Sequence, residues 1–236
     1  MPTARVNDIM IYYEIHGEGE PVLLIAGLNS DHTFYQRAGI ISRLAERYQV
    51  IAFDNRGVGQ TDKPDIPYSI DMMADDTAGL LQAIGITHAH ILGVSMGGRI
   101  AVSLTLRHPS LVKSLILVST TVKLTGIPMT WQRRLSLFSL KLPMIRGANA
   151  ADRQLEASRD YDVTDRLGEI HVPTLILHGK GDKLAPCSLA EAMHAGIKGS
   201  RMITFPGGHI FFMWRQKEFL DAIREFLDSV TREEAI

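Results

Sequence analysis

Short, almost wholly apolar runs punctuate the chain at Val22 to Ala26, Val50 to Phe53, Ile91 to Val94, Leu115 to Val118 and Thr174 to Leu177. Ile203 to Phe205 is a weaker one. Runs of this length bounded by turn residues predict strands buried on both faces, as in a parallel sheet. Ahead of them, residues 9–15 read as a further strand, closed by a Gly-Glu-Gly-Glu-Pro turn. Between the runs, helical spacing predicts helices over about 34–47, 70–84, 96–107, 187–196 and 211–229. In the last of these, Phe212, Phe219, Ile223 and Phe226 recur near helical period. Strand and helix patterns alternate from residue 22 onward, which predicts an α/β fold with a mostly parallel central sheet flanked by helices.

One stretch breaks the alternation. Residues 121–165 carry no buried-strand signal. Pro128 and Pro143 bracket a helix-like segment in which Trp131, Leu135, Phe138 and Leu142 form an apolar stripe. The expected organisation is therefore a core domain of 1–120 and 166–236, with 121–165 as a short helical insertion. Across 121–159 the charge is uneven: Lys123, Arg133, Arg134, Lys141, Arg146, Arg153 and Arg159 stand against Asp152 and Glu156.

Composition narrows the function classes. The chain has 236 residues and a formal net charge of −1, so nothing draws it toward nucleic acid or an anionic membrane. Its single cysteine, Cys187, cannot form an intrachain disulfide. No apolar run approaches the roughly 20 residues needed to span a bilayer, and the first residues lack a secretory h-region. A cytoplasmic protein is expected. His88 and His90 lie on one face of the Ile91–Val94 strand, but no third ligand suggests itself and no metal is expected.

The sharpest chemical signal is Gly93-Val94-Ser95-Met96-Gly97. It follows an apolar strand and precedes a helix-like segment, the setting of a nucleophile elbow. A sharp strand-to-helix turn lifts the serine hydroxyl above the sheet, and glycines two positions either side avoid collisions there. The helix N-terminus favours developing negative charge. A chance match in a tight turn is disfavoured by the strand–turn–helix context.

With these residues the chain resembles the α/β-hydrolase superfamily, and within it small bacterial carboxylesterases and enol-lactonases. Asp54-Asn-Arg56-Gly57-Val-Gly59-Gln-Thr61 resembles that family's Asp-x-Arg-Gly-x-Gly-x-Ser/Thr turn and is expected to be structural. The family order is Ser, then Asp or Glu, then His. The resemblance nominates Asp182 in the Gly-Lys-Gly-Asp loop and His209 in the Pro-Gly-Gly-His loop. Some members place the acid after the strand corresponding to Leu115–Val118, but here that position reads Ser119-Thr120-Thr121. An oxyanion hole needs two backbone N–H groups. Met96 follows the nucleophile, and the resemblance adds Leu28 from Ala26-Gly27-Leu28, where the family often has His-Gly.

The insertion falls where this family places a lid. Trp131, Leu135 and Phe138, with Ile210 after the histidine, are expected to line the substrate pocket. The stripe has two further uses, packing the cap onto the core or forming a homodimer or membrane-facing surface. The basic excess favours an anionic substrate, although such runs are often solvated faces. The leading expectation is hydrolysis of a small-molecule carboxylic ester or lactone through an acyl-enzyme, with no cofactor. Carbon–carbon hydrolysis of a diketone-type substrate is the enzymatic alternative, and a non-catalytic ligand receptor is the alternative of another class. Dehalogenase and epoxide hydrolase readings are disfavoured, because those relatives carry aspartate at the position of Ser95.

Overall fold

The computed structural model describes residues 2–123 and 148–234. Eight strands form one sheet in the order β1-β2-β4-β3-β5-β6-β7-β8. They are β1 (Thr3–Val6), β2 (Ile9–His16), β3 (Glu20–Ile25), β4 (Tyr48–Phe53), β5 (Ala89–Val94), β6 (Val112–Val118), β7 (Thr174–Gly179) and β8 (Arg201–Phe205). β1 and β2 pair antiparallel, as do β2 and β4; all other pairs are parallel. Every residue of β5 and of β7 is buried, as continuous apolar runs require. At the edge, β8 alternates between exposed and partly covered positions, and its signal was weak for that reason.

The helices are α1 (Thr33–Arg37), α2 (Ile40–Leu44), α3 (Ile70–Ala83), α4 (Met96–Arg107), α5 (Ala148–Arg159), α6 (Cys187–Gly196), α7 (Phe211–Trp214) and α8 (Gln216–Glu234). Strand side chains alternate between two cores, as the two-residue period dictates. Leu23, Ile25, Ile91, Leu115 and Leu117 face the core built with α3 and α4. Val22, Leu24, Leu92, Ile116 and Val118 face the one built with α1, α2, α7 and α8. In that second core Phe211 stacks on Phe205 with centroids 4.7 Å apart, while Phe212 meets Phe219 at 5.4 Å. Burying one such ring contributes roughly 1.5–3 kcal/mol.

Two expected helices are each divided. The 34–47 segment breaks at Gly39, whose φ of 64° is left-handed and open to glycine. The 211–229 segment breaks at Arg215, where φ −115° and ψ 38° leave helical geometry. There the chain turns so that Phe211, Phe212 and Phe219 all reach one core. Strand β1 was not anticipated; it is short and only Val6 is buried.

The Asp54–Thr61 turn is a buried polar knot. Asp54 accepts from the backbone N–H groups of His32 (2.8 Å) and Gln60 (2.7 Å). Arg56 donates through Nε to Asp76 (2.7 Å) and through Nη2 to Asp8 (2.8 Å). Burial works against its charge, but these two carboxylates outweigh it and raise its pKa. His88 and His90 do not share a strand face. His88 lies ahead of β5 and is exposed, whereas His90 is buried, 2.7 Å from Ser114 Oγ and 3.0 Å from Glu20 Oε2. No helix among the described residues is long and apolar enough to cross a membrane.

Candidate active site

Ser95 sits between the end of β5 and the first residue of α4, at φ 56° and ψ −118°. For a serine this backbone is strained, at a cost of order 1–3 kcal/mol. Its surroundings hold it there. Ser95 N–H donates to Val118 O (2.9 Å), while its carbonyl accepts from Gly98 N–H (3.0 Å) and Thr120 Oγ1 (2.6 Å). The two motif glycines answer to close approach. A Cβ on Gly93 would lie 2.3 Å from Gly97 O, and one on Gly97 would lie 2.0 Å from Ile25 O. Any side chain at either place would push helix, elbow and β3 apart.

Parallel strands deliver the other two residues to the same end of the sheet. Asp182 follows β7 and His209 follows β8. The two loops are laced together by Lys180 N–H to Phe205 O (2.9 Å) and Gly181 N–H to Gly207 O (2.8 Å). Asp182 is buried, and its Oδ1 accepts from the N–H groups of Leu184 (2.8 Å) and Ala185 (2.9 Å). Its Oδ2 lies 2.8 Å from His209 Nδ1. A carboxylate only accepts, so Nδ1 carries the proton and donates. That leaves the lone pair of His209 Nε2 to accept from Ser95 Oγ at 3.0 Å. Ser95, His209 and Asp182, 114 and 27 residues apart along the chain, thus form one hydrogen-bonded line.

A sequence model of the alpha/beta hydrolase fold matches residues 20–155, more than half of the chain. The chain belongs to the α/β-hydrolase family. This hydrolase is 31% identical over 246 residues to the RutD protein of Azorhizobium caulinodans, provisionally named a carbamate hydrolase, with 89% of this chain and 92% of that one covered. It is 30% identical to the AB hydrolase superfamily protein YisY of Bacillus subtilis, covering 94% and 96% of the two chains. An esterase of Exiguobacterium antarcticum superposes with a TM-score of 0.85 at 27% identity, over 96% of this hydrolase and 98% of that chain.

A cavity of this hydrolase opens beside Ser95 and His209 and is walled by Leu28 and Met96. Among the described residues, no hydrogen bond occupies the N–H of Leu28 or of Met96. The Leu28 loop is held from the next residue: Asn29 N–H donates to Gln154 Oε1 (2.8 Å), and Gln154 Nε2 donates to Arg56 O (2.9 Å). Gln154, wholly buried on α5, thereby ties this loop to the Asp54–Thr61 turn, a role no sequence pattern marks. Leu155 and Ser158 of α5 also line the cavity.

The pocket expectations fare unevenly. Ile210 is a correction: it is 39% exposed and does not line the cavity. It precedes α7, whose Phe211 and Phe212 take the inward positions. Trp131, Leu135, Phe138 and Leu142 lie outside the described residues. The cavity wall beyond Met96 is instead Arg99, Ser119, Thr120 and Thr121, joined by Leu184 and Ala185 of the acid loop. Arg99 is buried and donates to Thr121 O (2.9 Å), Thr121 Oγ1 (3.1 Å) and Ser158 O (3.5 Å). Burial lowers its pKa to about 10, with only Tyr161 acting in the other direction. His178 is buried against the acid loop, its Nε2–H donating to Ala185 O (2.7 Å), and burial lowers its pKa. Among the described residues no group of His, Cys, Asp and Glu is arranged to hold a metal ion.

Proposed function

We propose that this hydrolase cleaves a carboxylic ester or lactone through an acyl-enzyme, with Ser95 as nucleophile. The observation that carries the reading is the line Ser95 Oγ to His209 Nε2 (3.0 Å) and His209 Nδ1 to Asp182 Oδ2 (2.8 Å). A serine hydroxyl is a weak nucleophile until an oriented base takes its proton. Here Ser95 Oγ attacks the carbonyl carbon while its proton passes to His209 Nε2. Asp182 holds the ring in the accepting tautomer and stabilises the imidazolium. The tetrahedral oxyanion is met by the N–H groups of Leu28 and Met96, reinforced by the N-terminus of α4. His209 returns the proton to the leaving alcohol. A water then repeats the sequence on the acyl-enzyme, giving the free acid and restoring Ser95. In the same reading α5, part of the expected 121–165 insertion, contributes Leu155 and Ser158 to the cavity wall, while residues 124–147 of that insertion lie outside the described residues.

Carbamate cleavage is the second reading, favoured by the similarity to RutD. Its carbonyl would be attacked by the same groups. Purified protein should hydrolyse short-chain p-nitrophenyl esters, and Ser95→Ala should abolish this while keeping its thermal unfolding midpoint. Full activity in that variant would remove Ser95 as the nucleophile. A panel of esters, lactones and carbamates, ranked by kcat/KM, separates the two readings.

A further inference from the structure

The polar wall of the cavity is not consumed by the machinery above. Arg99, Ser119 and Ser158 line the same cavity as Ser95 and are exposed by only 7%, 0% and 3%. No carboxylate among the described residues pairs with Arg99; its partners are a hydroxyl and two backbone carbonyls. Among the described residues, these bonds leave an N–H on each of Nη1 and Nη2 without a partner. Among the described residues, Ser119 Oγ and Ser158 Oγ have no hydrogen-bond partner either. A buried cation without a counter-ion is costly, and buried hydroxyls are normally bonded. A purely structural tether would account for the bonds from Arg99 to Thr121 and Ser158. It would not account for three unsatisfied groups lining one cavity, whose donors suit a planar two-oxygen anion.

We propose that Arg99, Ser119 and Ser158 form a carboxylate-binding subsite, so that the substrate carries a free carboxylate near its scissile bond. This rests on the ester-hydrolase reading and specifies its substrate class. The bound carboxylate takes the N–H groups of Arg99 and the two hydroxyl protons. It supplies the missing counter-charge only when substrate is present.

The test compares charged esters with neutral counterparts. Monomethyl glutarate is set against methyl pentanoate, and 3-acetoxypropionate against propyl acetate, so that the carboxylate is tried on the acyl and on the alcohol side. At least one acid should exceed its neutral counterpart in kcat/KM by about ten-fold, the scale of a hydrogen bond to a charged group. That ratio should collapse toward unity in Arg99→Gln and fall in Ser119→Ala and Ser158→Ala. The two alanine variants delete hydroxyls that bond nothing among the described residues, so they keep the test open if Arg99→Gln does not fold. Neutral esters preferred throughout, or a ratio that survives all three variants, overturns the subsite. If none of the four esters is cleaved, the ester reading fails separately. Calorimetric binding of glutarate then decides the subsite: saturable binding weakened in Ser119→Ala supports it, and no binding overturns it.

Discussion

Replacing Asp182 by Asn changes one atom and should remove nearly all turnover. The backbone dictates why. Leu184 and Ala185 point their N–H groups at Oδ1 of the buried Asp182 carboxylate, at 2.8 and 2.9 Å. In Asp182→Asn the amide oxygen must occupy that position. The opposite orientation would set the amide N–H₂ against two backbone donors and leave both unsatisfied, at about 1–3 kcal/mol each. The amide N–H₂ is therefore directed at His209 Nδ1, where Oδ2 stood 2.8 Å away. Nδ1 must then accept, its proton moves to Nε2, and Nε2–H faces Ser95 Oγ with no lone pair to receive a proton. A wrong tautomer of this kind costs on the order of 10⁴ in kcat, or about 5 kcal/mol of barrier. The assay is kcat on p-nitrophenyl acetate at mildly alkaline pH, with Ser95→Ala as background and thermal unfolding as a control for folding. A loss smaller than ten-fold with an unchanged unfolding midpoint would refute the assignment of Asp182 as the residue that fixes the tautomer.

Three further outcomes are expected. Gly97→Ala brings a Cβ to 2.0 Å from Ile25 O, so the elbow must shift from β3; a stability loss of about 1–3 kcal/mol or more is expected in urea unfolding, together with impaired turnover. Gln154→Ala strands the buried N–H of Asn29, one residue from Leu28; a stability loss of about 1–3 kcal/mol should accompany a fall in kcat, and an unchanged kcat would separate the loop from the oxyanion. Glu20 carries part of the pH dependence: burial opposes its charge, but hydrogen bonds from Lys113, His90 and Thr231 prevail and hold its pKa at about 2 against an ordinary 4.5. A depressed carboxylate contributes stability above pH 4.5 that is lost as pH falls from 4.5 toward 2. Acid unfolding of Glu20→Gln should therefore lose part of its slope across that window, and an unaltered profile would discount these bonds.

Much of this molecule was legible before any coordinates. Continuous apolar runs announce strands buried on both faces, and six of the eight strands followed from such runs, weak or strong. The elbow was legible because Ser95 and its glycines are neighbours in sequence, and a strand–turn–helix pattern is a local matter. Asp182 and His209 were legible only through the resemblance, since they sit 27 residues apart and no spacing rule joins them. The divided helices were not legible. Gly39 divides its helix by adopting a left-handed backbone, and Arg215 ends another where Phe211, Phe212 and Phe219 all reach one core.

The pocket shows the same boundary more sharply. Its place next to His209 drew attention to Ile210, yet it is exposed, while its neighbours Phe211 and Phe212 claim the interior. Arg99 looked like an ordinary helix residue and Ser119 like an absent carboxylate. What singles them out is the lack of partners in a buried wall, and partners are contributed by segments far apart in the chain. Local pattern by itself determined the α/β layering and the serine elbow, because secondary structure and turn sterics depend on near neighbours. Only the tertiary structure decided which charges are compensated and which hydroxyls stay unbonded, because desolvation and hydrogen-bond satisfaction depend on everything that closes around a group.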